Sequence, residues 1–353
     1  MNGSILINKN NLISNLSEIK KFSPESKVMS MIKSDAYGHG ILEVAHLLKE
    51  SDAFAVATIE EATYLRNNNI DKEIVCLQGF SHSNEYKYCS ENNIRPVIHD
   101  ISQLKIIENT TLDKNIKLWI KIDTGMNRLG FHSSDFQTVF QKCKIISNHV
   151  GIMTHLACAD EDKDDFSNKQ INVLQDVINE ENIEHSIFNS AGTIRYSKKY
   201  NNSRHWIRPG LVLYGVNPCN SSNKINVKPV MTLTAPVVSI KTCKKDESIG
   251  YGHTYKVKND TRIAAVGIGY GDGIPRRLSN IGKVFFEGSF FNIVGRVSMD
   301  IIMIDIQDKN IQVGSNVELW GENINIKEVS SSIDAIPYEL MCALGNRLSK
   351  KFF

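Results

Sequence analysis

The chain has 353 residues, 41% of them apolar and 23% charged, with a formal net charge of +2 at pH 7. That length exceeds what one small core organises, so two domains are expected, in a protein of ordinary soluble globular composition. So small a net charge offers no basic field to nucleic acid or an acidic membrane surface, and no stretch approaches the roughly 20 apolar residues that span a bilayer. Residues 1–8 lack the basic opening and long apolar stretch of a signal peptide. The cysteines, at 76, 89, 143, 158, 219, 243 and 342, are odd in number and form no Cys-x-x-Cys pair. They suggest neither a disulfide frame nor a zinc site and fit a reducing cytoplasm. The ten histidines offer no ligand pair at i, i+4, so no metal is expected.

In chain order, a strand-like start at 4–8 precedes a helix and has the pattern to pair with a C-terminal sheet. Short apolar runs then follow at 28–32, 53–57, 74–77, 95–98, 117–122, 150–154, 185–189 and 206–208. Between them lie amphipathic stretches such as Ile41-Leu42-x-Val44-Ala45-x-x-Leu48 and Phe136-x-x-Val139-Phe140-x-x-Cys143. Runs rich in large apolar residues, with little alternation, are those of strands buried on both faces. Eight of them alternating with helices predict a closed (β/α)8 barrel over residues 9–223, with the run near Trp206 the faintest. After the polar Asn217-Pro218-Cys219-Asn220-Ser221-Ser222-Asn223 the pattern changes. Runs at 231–233, 237–240, 263–266, 283–286, 290–294, 301–306 and 317–319 predict a mostly-β domain over 224–353, with a more helical tail at 338–344.

Lys33 closes the first barrel run and is followed at once by Ser34-Asp35-Ala36-Tyr37-Gly38-His39-Gly40. Partial burial lowers an ammonium pKa, and the neutral amine condenses with aldehydes to a Schiff base. The glycines beside His39 let the backbone turn into a helix starting near Ile41. Read alone, Lys33 also suits a surface lysine capping a strand. In a (β/α)8 barrel the chemistry gathers where strands end, and other polar residues fall there too. Lys121, Asp123 and Arg128 end the fifth strand, His155 the sixth, Ser190 the seventh, and Arg208-Pro209-Gly210-Leu211 the eighth. Ser190 with Gly192, and Gly210 with Leu211, supply the hydroxyl and N–H donors that hold an anion near the last two strands.

Six ordered blocks then carry a resemblance that covers nearly the whole chain. They are 33–40, Asp123-Thr124-Gly125-Met126-Asn127-Arg128-Leu129-Gly130, Gly250-Tyr251-Gly252-His253-Thr254-Tyr255, Gly269-Tyr270-Gly271-Asp272-Gly273, Gly295-Arg296-Val297-Ser298-Met299-Asp300 and Pro337-Tyr338-Glu339. The chain resembles the bacterial alanine racemases, fold-type III pyridoxal-phosphate enzymes.

The resemblance implies a pyridoxal 5'-phosphate cofactor on Lys33 and a two-base exchange between L- and D-alanine. Lys33 serves one face of the α-carbon; Tyr251 serves the other and comes from the partner subunit of a homodimer. A phenol's reference pKa near ~10 needs nearby positive charge to act at neutral pH, and His155 and Arg208 resemble the residues that provide it. A guanidinium does not surrender its proton, so Arg208 facing the cofactor's pyridine nitrogen would leave that nitrogen unprotonated. Arg128 would sit near the substrate carboxylate, with the Met299 N–H completing its recognition. Lys121 resembles a position often carbamylated, although an ammonium or neutral lysine fits the letters equally well. Tyr37, Ser190, Gly210, Leu211 and Tyr338 resemble the phosphate-binding set, and Tyr270 resembles a tyrosine at the mouth of the site.

Plainer readings exist: a buried hydrogen-bonding His155, loop aromatics at Tyr251 and Tyr270, packing at Tyr338, a core Met299. Asp123 reads as a structural acceptor. The chain departs from the family at Arg347-Leu348-Ser349-Lys350, where Arg-Val-Pro-Arg is usual, at Ser298, where cysteine is common, and at Ile301. The expectation is a cytoplasmic racemase supplying D-alanine to peptidoglycan. Its rivals are a broad-specificity or serine racemase, a fold-type III decarboxylase (which sets a carboxylate against the pyridine nitrogen) and a non-catalytic pyridoxal-phosphate carrier lacking the β domain.

Overall fold

A computed structural model describes residues 3–112, 115–161, 163, 165–178, 183–200, 202–219 and 225–353. The end of the expected linker, 220–223, and the expected domain boundary at 223/224 lie outside the described residues. The chain divides into two compact units, one of Leu12–Ala36 and Ile41–Val227, the other of Met1–Asn11, Tyr37–Gly40 and Lys228–Phe353. No described helix is long and apolar enough to cross a membrane.

The first unit is the expected barrel. Its strands are β1 (Lys27–Met31), β2 (Ala53–Val56), β3 (Ile74–Cys76), β4 (Ile94–Ile98), β5 (Leu118–Asp123), β6 (Val150–Met153), β7 (His185–Ser186) and β8 (Trp206–Ile207). They lie parallel in the order β8-β1-β2-β3-β4-β5-β6-β7. A bridge between His185 and His205, with Arg208 N–H donating to the Phe188 carbonyl at 2.8 Å, joins the two ends of that order. Every residue of β2, β3, β4 and β6 is buried, which is why their sequences do not alternate. Helices cover the outside with one apolar stripe each, such as Phe136, Val139, Phe140 and Cys143 of Phe136–Ile146. β7 and β8 have only two residues each, which accounts for the faint eighth run.

The starts of the strands are bound together by charge. Arg95, 2% exposed, reaches Glu73 at 3.3 Å and Glu184 at 3.0 Å; Lys27 adds 2.9 Å to Glu184, and Lys117 adds 2.7 Å to Glu73. The Arg95 guanidinium also lies 4.1 Å from the centre of the Trp119 ring. A cation inside a strand is tolerated only when paired in this way. Burial alone would raise the Glu184 carboxyl, but Arg95 and Lys27 pull it down to about 2. This is the face of the barrel associated with stability rather than chemistry.

The second unit is mostly β, and its longest strand, Met231–Cys243, corrects the expectation of two short runs at 231–233 and 237–240. Pro236 made the run look broken, since proline cannot donate to a ladder. The strand continues through it by shifting register, at 233/234 against Asn316–Trp320 and at 237/239 against Thr261–Val266. Ser4–Ile7 pairs antiparallel with this strand and parallel with Ser349–Phe352. Helices Ile326–Ser331 and Pro337–Cys342 complete the unit; the first had no counterpart in the sequence reading.

Candidate active site

Where β1 ends, the backbone reverses hand. Lys33–Gly38 is one helical turn, yet Ser34, Asp35, Ala36 and Tyr37 all have φ of 53°. Consecutive left-handed L-residues cost about 1–2 kcal/mol each. Specific contacts hold the turn in place. Ala36 N–H donates to the Ile32 carbonyl at 2.9 Å, Ser34 N–H to Glu61 Oε1 at 2.6 Å, and Ile41 N–H to Asp35 Oδ1 at 2.8 Å. The other Glu61 oxygen accepts from Ala57 N–H at 2.7 Å. Gly38 and Gly40, at φ of 78° and 100°, then release the chain into the right-handed helix Ile41–Leu47, as expected near Ile41.

Four cations gather at the strand ends. Arg208 is 5% exposed and held from two sides: Nη1 donates to Ser186 Oγ at 2.5 Å, and Nη2 donates to the Thr154 carbonyl at 2.5 Å. Its Nη2 also lies 3.3 Å from His155 Nδ1. Burial lowers the Lys121 amine to about 8, with Arg208, Arg128 and Lys33 adding to the effect and Asp123 opposing it. Burial likewise holds His155 well below the usual imidazole range, reinforced by Arg208, Lys121, Arg128 and Lys33. His155 is therefore a neutral ring in a cationic setting.

The 123–130 loop is shaped by Asp123, whose Oδ1 accepts from Gly125 N–H at 2.8 Å and Asn127 N–H at 3.1 Å. Arg128 is exposed on this loop, beside a cavity of about 390 Å³ shared with Gln78, Phe80, His99 and Gln103. Near the last strands Ser190 Oγ accepts from Gly210 N–H at 2.9 Å and Val212 N–H at 3.3 Å, and Leu211 lies between them in the chain. The barrel unit thus brings together Lys33, Lys121, Arg128, His155 and Arg208, and joins Ser190 to the 210–212 segment.

The remaining candidates belong to the other unit. Tyr37 and Tyr338 are paired there, ring centres 5.3 Å apart. Tyr251, Met299 and Tyr270 lie on its surface, 70%, 53% and 45% exposed.

The sequence reading missed Glu61, Ser186 and Gln170. Glu61 had a signal, since Thr58-Ile59-Glu60-Glu61 has the form of a helix start, and Thr58 Oγ1 does accept from Glu61 N–H. Gln170 ties helix Phe166–Ile178 to the site by donating to the His155 carbonyl at 3.0 Å and accepting from Ala157 N–H at 2.9 Å. A glutamine in an amphipathic helix gives no such sign in sequence.

Comparison with known proteins shows the family and the fold. The alanine racemase N-terminal domain matches residues 7–218 and the alanine racemase C-terminal domain matches 230–352. An alanine racemase of Coxiella burnetii is 40% identical over 353 residues, covering 97% of this chain and 96% of the relative. The structure of alanine racemase from Acinetobacter baumannii superposes with a TM-score of 0.93 at 31% identity, over 100% of this chain and 99% of that one. That of alanine racemase from Bartonella henselae with covalently bound pyridoxal phosphate does so with 0.88 at 28% identity, covering all of both chains. The chain belongs to the alanine racemase family, a family of pyridoxal-phosphate-dependent isomerases.

Proposed function

We propose that this protein interconverts L- and D-alanine as a cytoplasmic homodimer and supplies D-alanine for peptidoglycan. In this reading Lys33 and the partner subunit's Tyr251 exchange protons on opposite faces of one carbon. The observation that carries it is the set of cations around Lys33, with Arg208 locked among them and His155 kept neutral.

The residues fit pyridoxal phosphate. The Lys33 primary amine stands just past a strand end, Lys121, Arg128 and Arg208 gather with it, and the Ser190 hydroxyl lies against the Gly210 and Val212 N–H groups. When bound, the cofactor supplies an aldehyde for amines and a ring that stabilises charge on the carbon losing its proton. Ser190, Gly210, Leu211, Tyr37 and Tyr338 would hold its phosphate, and Arg208, a donor that keeps its proton, would partner its ring nitrogen. That choice disfavours long-lived carbanion chemistry and argues against a decarboxylase. Lys33 moves the proton on one face of the α-carbon and the phenol of Tyr251 moves it on the other. An open position for Tyr251, 70% exposed, suits a side chain that a second copy covers. Arg128 and the Met299 N–H take the substrate carboxylate. Lys121, with its amine lowered to about 8, is poised for carbamylation, which would give Arg128 an anionic partner.

Incubation of the purified holoenzyme with L-alanine and with L-serine, followed by chiral separation, tests the proposal. Racemic alanine with much slower turnover of serine is expected. Equal turnover of both would replace it with a broad-specificity racemase, and release of carbon dioxide without a D-isomer would overturn it.

A further inference from the structure

Three segments of the second unit meet at one side chain. Arg347 Nε donates to Asp272 Oδ1 at 3.0 Å and Nη1 to Asp300 Oδ1 at 2.8 Å. Asp272 belongs to the 269–273 loop, and its other oxygen accepts from Gly269 N–H at 2.9 Å; its carbonyl accepts from Gly345 N–H at 3.0 Å. Asp300 follows Met299 in the 298–301 turn, where Ser298 N–H donates to the Ile301 carbonyl at 3.0 Å.

The two loops lie backbone to backbone. Tyr270 N–H donates to the Ser298 carbonyl at 3.0 Å, and Gly271 N–H donates to the Met299 carbonyl at 2.8 Å. A Cβ on Gly269 would stand 2.4 Å from the Met299 oxygen, and one on Gly271 would stand 2.6 Å from Arg347 Nη2 and 3.0 Å from the Met299 oxygen. The Met299 carbonyl is therefore fixed, while its N–H takes no partner among the described residues. Remove the guanidinium, and the Asp272 and Asp300 carboxylates lose the charge that joins them, while the Tyr270–Ser298 and Gly271–Met299 main-chain bonds remain. A guanidinium fixes two carboxylates through a rigid planar fork, whereas an ammonium neutralises charge without fixing direction.

We propose that Arg347 is a positioning residue for recognition of the substrate carboxylate. By bridging Asp272 and Asp300 it holds the 298–301 turn so that the Met299 N–H is presented at a fixed place. The inference rests on the reading of Met299 as a carboxylate contact.

The test uses full-length holoenzyme and reads alanine KM and kcat, inhibition by propionate (a carboxylate without the amine), pyridoxal-phosphate affinity and Tm. Arg347→Lys should leave Tm and cofactor affinity near those of the parent, raise KM for alanine and Ki for propionate together by about tenfold, and change kcat little. Arg347→Met and Gly271→Ala should raise both constants at least as far. If Arg347→Met fails to fold, Arg347→Lys and Asp300→Asn still decide the matter, the latter removing only a 61% exposed carboxylate. Full recovery of KM and Ki by lysine, or loss of Tm and cofactor affinity in step with KM, would overturn the proposal by making Arg347 a purely structural charge. A parent enzyme that racemises alanine yet is not inhibited by propionate would instead remove the carboxylate reading of Met299. A parent that does not racemise alanine would remove the functional proposal itself.

Discussion

Arg208 Nη2 stands 3.3 Å from His155 Nδ1 and 2.5 Å from the Thr154 carbonyl oxygen. A guanidinium nitrogen has only hydrogens to offer, so a hydrogen bond between the two takes Nδ1 of His155 as acceptor and favours the tautomer with its proton on Nε2. Burial first, and the neighbouring cations after it, hold the ring well below the usual imidazole range and so disfavour a second proton.

The first prediction follows from that tautomer. Nitrogen-15 spectra of histidine-labelled enzyme should show His155 still as the neutral Nε2–H form at pH values where an ordinary imidazole is largely charged. Titration of His155 near the usual midpoint would contradict the arrangement. Since the unfolded ring takes up a proton and the folded one resists it, this residue favours folding above the ordinary imidazole range and loses that contribution in acid.

Glu184 sets a second acid limit lower down. Its carboxyl titrates near 2 when folded and near the ordinary 4.5 when unfolded, so its contribution is complete above 4.5 and fades as pH falls toward 2. The shift corresponds to about 3 kcal/mol at most, and to less after screening because the side chain is 32% exposed. Glu184→Gln should lower Tm at neutral pH, and the gap from the parent should narrow as pH falls below 4.5. Parallel Tm curves at all pH values would show that the ion network contributes nothing through this residue.

Gly38 and Gly288 share a φ of 78° but not their surroundings. A Cβ on Gly38 would stand 2.3 Å from the Met341 carbonyl oxygen, whereas one on Gly288 would meet nothing within 4 Å. Gly288→Ala should therefore cost only the conformational penalty of about 1 kcal/mol, and Gly38→Ala about 3 kcal/mol or more. Denaturant unfolding of the two variants checks this; equal losses would mean that backbone conformation alone sets the cost.

Lys121 carries a prediction about carbon dioxide. Only the free amine forms a carbamate, and with its pKa lowered to about 8 that form grows as pH rises through 8. With labelled bicarbonate at constant dissolved carbon dioxide, a carbamate carbon signal should strengthen between about pH 7 and pH 8.5 and vanish in Lys121→Met. No signal in the parent enzyme would leave Lys121 as an amine.

The two proposed proton carriers are separable by mutation. Lys33→Ala should abolish the visible absorbance gained on adding pyridoxal phosphate to the parent enzyme, while Tyr251→Phe should keep it. The second variant should slow the two directions of alanine exchange unequally. Mixing the two variants should recover part of the activity through hybrid dimers, and no recovery would speak against a shared site.

The barrel was legible because strands buried on both faces leave unbroken apolar runs, as in 53–57 and 150–154. It was faint where β7 and β8 shrink to two residues each, and the long Met231–Cys243 strand was misread because a proline normally ends one. Lys121, His155 and Arg208 stood out as polar letters ending apolar runs, and the structure does gather them with Lys33 and Arg128. Their supports did not stand out. Ser186, Thr154 and Gln170 are ordinary polar residues until the fold turns them toward Arg208 and His155. Nor does Ser34-Asp35-Ala36-Tyr37 announce its hand, because none of these residues prefers a positive φ strongly enough to predict four in succession.

That reversed coil after Lys33 ties reactivity to the integrity of the molecule. Left to itself the peptide would wind the ordinary way; two neighbours in the chain, Ile32 and Ile41, and one distant side chain, Glu61, hold it in the reversed hand. A partly melted or immature chain would still own the lysine but not the posture that aims it.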